Sequence, residues 1–147
     1  MKLRIKGSSL RLRVSRSEGT RLIQTGRLEE TVRFAREDRA KLTHALELSV
    51  RNMEISLRYR PQEVTVTLPT LEARRWFESD QVGLYRNADV EHEVLAVTVE
   101  KDFACLNGPD ADSEDACENP NRGSLAERVH SQAVQVAELG QEAYSTR

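Results

Sequence analysis

Four residues of this 147-residue chain combine reactive side chains with an awkward place in the hydropathy pattern: Glu30, His44, Lys101 and Cys105. Glu30 alternates in step with Leu28, Val32 and Phe34, and His44 with Leu42, Leu46 and Leu48. Lys101 and Cys105 do so with Leu95, Val97, Val99 and Phe103. Each polar group thus falls on the apolar side of a two-residue alternation, where burial without a partner is costly. If these faces meet, a carboxylate, an imidazole and an ammonium share one apolar pocket and can exchange protons. Cys105 would be a nucleophile there, its thiol acidified by Lys101, with His44 as base. The plainer reading is structural, and this sequence favours it. Glu30 and Lys101 stand near strand ends, where a bulge or an edge restores water. A lone histidine on an apolar face is commonly a core residue, and a cysteine in line with Phe103 and Val99 is commonly an inert thiol.

A second set is ionic. Lys2, Arg4, Lys6, Arg11 and Arg13 alternate with apolar residues near the amino terminus, so the outward face of that segment could meet an anion, phosphate or polyphosphate. It lacks the interleaved aromatics of a single-strand platform, and the chain has no helix-turn-helix or RNP-like motif. With 22 basic against 24 acidic residues and a net charge of −2, nucleic acid is not an expected partner. Asp110, Asp112, Glu114, Asp115 and Glu118 offer oxygen ligands, but without the glycine and terminal bidentate glutamate of an EF-hand loop. Cys105, Cys117, His44 and His130 are too scattered for a zinc site. No metal or cofactor is expected. The chain holds no P-loop, G-x-G-x-x-G, G-x-S-x-G or H-E-x-x-H motif, so no familiar catalytic signature is present.

The elements that must position these residues are mainly strands. Leu3 and Ile5, then Leu10, Leu12 and Val14, alternate with basic residues around Gly7-Ser8-Ser9, which predicts a hairpin. Ser15-Arg16-Ser17-Glu18 has capping-box spacing and Gly26 suits a left-handed C-terminal position. A helix from about residue 16 to 25 follows, weakened by Gly19. Further strands are predicted over 28–35, 42–48, 53–59 and 63–68. Their short connections imply antiparallel neighbours. Thr70 is the expected N-cap of a helix through Leu71, Ala73, Trp76 and Phe77. A short strand over 83–86 and a long one over 94–105 complete the sheet. No internal repeat stands out.

The expectation is therefore an α+β single domain: an antiparallel meander sheet, curved or barrel-like, with two short helices. It spans residues 1–106, followed by an acidic loop over 107–123. Residues 124–147 hold an amphipathic helix carrying Leu125, Val129, Ala133, Val136 and Leu139, a candidate homodimer contact. No apolar run approaches membrane-span length, and no signal-peptide pattern follows the basic start, so no membrane partner and a cytoplasmic location are expected. Two cysteines without an export signal are expected to stay reduced.

Three segments together carry a resemblance: residues 1–14 (MKLRIKGSSLRLRV), 79–83 (SDQVG) and 99–106 (VEKDFACL). The chain resembles a family of small bacterial proteins, a domain of unknown function, whose members open with an MKIRIKGNSLRLRL-like stretch. They carry an EKDFxCL strand before an acidic, Pro-Asn-containing loop. The resemblance covers roughly residues 1–121. It implies a bacterial, cytoplasmic single domain and lends no catalytic residues. Cys117 is atypical of that pattern, which argues against a Cys105–Cys117 bridge. On the residues, the first reading is a non-enzymatic binding or self-association domain. The alternative is a ligand-binding protein or enzyme with its site near Glu30, His44, Lys101 and Cys105, or a phosphate-binding sheet face.

Overall fold

The computed structural model describes residues 1–90, 93–103 and 115–117. Alternation becomes strands as predicted. The strands are β1 (Lys2–Ile5), β2 (Ser9–Val14), β3 (Arg27–Arg33), β4 (Lys41–Ser49), β5 (Ser56–Arg60), β6 (Glu63–Pro69), β7 (Gly83–Val90) and β8 (Glu93–Lys101). The helices are α1 (Arg16–Thr25) and α2 (Thr70–Glu78). The last strand is thus shorter than the predicted run to Cys105, and Cys105 lies outside the described residues. So does the predicted terminal helix.

Helix α1 begins and ends on its predicted signals. Ser15 is the N-cap, and its hydroxyl accepts from the Glu18 amide while the Glu18 carboxylate accepts from the Ser15 amide. Gly26, at φ 79°, closes the helix in the left-handed region that a side chain disfavours. Gly19 has a positive reason to be glycine. A Cβ there would stand 1.9 Å from the ring of Phe77, so its absence lets α2 cross close to α1. Helix α2 departs from expectation. Its N-cap is Pro69 rather than Thr70, and no side chain caps it, because proline offers no hydroxyl or carboxylate.

The single meander gives way to two sheets, ordered β1-β2-β8-β7 and β3-β4-β6-β5. Four hairpins are antiparallel, as their short turns require, but β2 pairs with β8 and β4 with β6 in parallel. Short connections fix each hairpin and leave open which hairpins become neighbours. Here the segment after β4 carries the chain past β6, so β5 lies on the far edge. Each sheet keeps two edge strands and is not a closed barrel.

The two sheets are topological copies of each other, an internal repeat that the sequence reading missed. Exchanging β1-β2-α1-β3-β4 for β5-β6-α2-β7-β8 converts one strand order into the other. Every register follows. Leu3 opposite Leu12 becomes Leu57 opposite Val66, 54 positions further on. Leu12 beside Val99 becomes Val66 beside Leu46. Leu28 opposite Leu46 becomes Leu84 opposite Val99. Buried Gly19 and Leu22 of α1 correspond to buried Ala73 and Trp76 of α2. Both halves feed one core, in which Leu12, Val14, Val97 and Val99 of one sheet join Leu46, Val66 and Leu68 of the other, with Leu22 and Trp76.

Candidate functional site

Glu30 and His44 are cross-strand partners on β3 and β4, with His44 Nε2 3.8 Å from Glu30 Oε2. Strand β3 is an edge beyond Leu28. Val32 and Phe34 are exposed there, and so is Glu30, whose carboxylate meets the Met1 amino group. That amino group also meets Glu18. Burial pulls the Met1 amine's pKa down, but its hydrogen bonds and charge contacts with the two glutamates outweigh this and raise it. His44 is buried, and among the described residues neither ring nitrogen has a hydrogen-bond partner.

Lys101 lies on the other sheet, at the end of β8 beside Val14. Its ammonium donates to the carbonyl of Ser79, the C-cap of α2, so this buried cation serves the helix end where carbonyls lack partners. In the repeat its place is taken by Leu48, and that of His44 by Val97. The structure thus brings Glu30 and His44 together and sets Lys101 on the other sheet. Cys105 and His130 lie outside the described residues.

The basic residues Lys2, Arg4, Arg11 and Arg13 pair across the β1–β2 hairpin, and acidic neighbours meet part of their charge. Lys2 pairs with Asp102 at 2.8 Å, and Arg11 and Arg13 lie 3.7 and 3.5 Å from Glu100. Lys2 still stands opposite Arg13, and Arg4 opposite Arg11, like charges across one hairpin. On the second sheet the outward residues are better matched. Arg27 contacts Glu29, Glu47 and Glu63 at 3.0, 2.7 and 3.2 Å, over buried Ala45 and Thr65.

Of the acidic run, Asp115 is described, and it works as a structural anchor. Its carboxylate accepts from the Ser17 amide and from the hydroxyls of Ser15 and Ser17, while its carbonyl accepts from the Arg16 amide. Those hydrogen bonds lower its carboxyl pKa. Cys117 continues the segment as a short parallel bridge to Phe103, its amide donating to the carbonyl of Asp102. It is a buried free thiol whose pKa burial raises despite nearby Lys101 and Arg16, which makes it a poor nucleophile. Among the described residues no group of three His, Cys, Asp or Glu side chains is placed to hold a metal ion. No described helix is long and apolar enough to cross a membrane.

One concavity was not foreseen. It has a volume of roughly 700 Å³ and lies where β4 ends and α2 begins, lined by Ser49, Val50, Met53, Pro69, Leu71 and Arg75 among others. None of Glu30, His44 and Lys101 lines it. Val50, Met53 and Leu71 are 84%, 87% and 73% exposed, so large apolar side chains line the hollow and face solvent. Val50 continues the alternation of Leu46 and Leu48 one step past β4, and Met53 follows the polar Arg51-Asn52 pair, so nothing in the sequence set them apart.

No curated protein and no solved structure matches the chain. A family model described as a family of unknown function (DUF7009) matches residues 1–121, which include both halves of the repeat and the Asp115–Cys117 anchor. The chain belongs to that family.

Proposed function

We propose that this domain is a non-catalytic binding module that holds a polypeptide in the hollow between the end of β4 and the start of α2. The observation that carries this reading is the exposure of Val50, Met53 and Leu71 around one concave surface. Leaving such side chains in water forgoes roughly 1.5–3 kcal/mol each, which a partner that covers them recovers. The candidate catalytic residues lend the alternative less support. Glu30 is spent on the Met1 amine, and Lys101 on the end of α2.

The test places a photocrosslinking amino acid at position 53 of the full chain in the cells that express it. Tyr85, exposed on the other sheet, is the control position. A discrete polypeptide adduct from position 53 and not from position 85 is the expected result. Absence of any polypeptide adduct from position 53 overturns the reading.

A further inference from the structure

The repeat gives the hollow a counterpart in the other half of the molecule. Where α1 begins, the segment Asp115–Cys117 lies beside residues 16–17 and 102–103. The Asp115 carbonyl takes the Arg16 amide, its carboxylate takes the Ser17 amide, and Cys117 pairs with Asp102 and Phe103. Moving to the other half turns Ser15, Arg16 and Ser17 into Pro69, Thr70 and Leu71. The register Leu48 beside Leu68 and Ser49 beside Pro69 turns Asp102 and Phe103 into Ser49 and Val50. Ser49, Val50, Pro69, Thr70 and Leu71 all line the hollow. The open surface of one half is therefore the counterpart of a surface that, in the other half, is covered by Asp115–Cys117, with the Asp115 carboxylate on the first turn of the helix and Cys117 bridged to Phe103.

The two surfaces differ in ways that favour an external occupant. Ser15 supplies α1 with a side-chain cap, whereas Pro69 supplies none. Leu71 and Val50 replace Ser17 and Phe103, so the open surface keeps its apolar character while its N-cap, Pro69, offers the first-turn amides no side-chain acceptor, with Arg75 at its edge. A carboxylate placed like that of Asp115 would meet the first-turn amides and the positive end of α2. Glu72 does not argue against an acid here, because its counterpart Glu18 sits in the same turn that Asp115 caps.

We infer that the hollow binds an extended, acidic peptide segment of a partner protein, docked beside Ser49 and Val50 with an Asp or Glu carboxylate on the first turn of α2. This rests on the reading of the hollow as a polypeptide-binding surface. The mode repeats within the chain what Asp115–Cys117 does, and combines strand-like pairing with a charged cap and apolar contacts.

The experiment pans a random-peptide phage library against the full chain and synthesises the selected peptides. They are expected to share an Asp or Glu followed within two positions by a small or apolar residue. Changing that acid to its amide is expected to weaken binding about tenfold or more, and Met53→Glu or Val50→Glu in the chain to weaken it similarly. Both positions are exposed, and circular dichroism of each variant is the check that the fold is kept. Selected peptides that depend on Met53 but carry no required acid overturn this inference and leave the reading of the hollow standing. Failure to select any peptide sensitive to Met53→Glu overturns both. A monomer–dimer equilibrium that Met53→Glu abolishes would assign the hollow to a second copy of the chain and overturn the inference.

Discussion

At the scale of single residues, the polar groups that break the apolar alternation have separate structural employments. Lys101 serves the carbonyl end of α2, and Glu30 the Met1 amine. His44 is the exception. It is buried with both ring nitrogens unpartnered among the described residues, 3.8 Å from the nearest Glu30 oxygen, and the repeat places Val97 where His44 stands. An unmet polar group in a core costs stability that an apolar side chain of similar size does not. His44→Leu is therefore expected to stabilise the fold by about 0.5–1.5 kcal/mol, read as a higher urea midpoint at unchanged slope. A loss of stability would mean that His44 has a partner worth more than its burial.

At the scale of elements, the start of α1 is where charge and fold meet. Burial raises the Glu18 carboxyl pKa, but the Met1 amine and the Ser15 amide outweigh it, and the net shift is downward from an ordinary 4.5. The Met1 amine moves upward from 8.0. An acid whose folded pKa is depressed stabilises above its unfolded pKa and loses that contribution as pH falls through the folded one. An amine whose folded pKa is raised stabilises below its unfolded pKa and loses that contribution as pH rises through the folded one. The melting temperature should accordingly hold a plateau between about pH 4.5 and 8 and fall on both sides. Glu18→Gln should lower the plateau and soften both shoulders, because the Met1 amine then keeps only Glu30. An unchanged pH profile in that variant would show that the contact contributes nothing. The same helix shows how an element's composition can be set by its neighbour. Gly19 weakens α1 by propensity, yet the Phe77 ring occupies the space its side chain would need.

At the scale of the molecule, the repeat is interleaved rather than stacked. Each ββαββ half gives its first hairpin to one sheet and its second to the other, and the central parallel pairs β2-β8 and β4-β6 join the halves. Neither half contains a complete sheet. Fragments 1–54 and 55–147 are thus expected to be unfolded separately and to regain sheet structure when mixed, followed by far-ultraviolet circular dichroism. A fragment that melts cooperatively alone would contradict the single shared core.

The sequence by itself determined most of the local structure. Two-residue alternation located the strands because a half-buried strand needs it, and the Ser15–Glu18 box and Gly26 bounded α1 because orphan amides and carbonyls demand such residues. It also put Glu30 and His44 each in the apolar phase of its own strand, leaving open whether they meet, and the family it resembles is the one whose model matches residues 1–121. Tertiary structure decided the rest. Hairpins specify their own pairing but not their neighbours, so the two sheets, the parallel contacts and the separation of Lys101 from His44 emerged only on assembly. The repeat escaped notice because register conserves burial rather than identity, with Leu12 answering to Val66 and Leu22 to Trp76. The hollow was equally hidden. Val50, Met53 and Leu71 are unremarkable apart in sequence, and only the docking of α2 against the end of β4 gathers them around one surface.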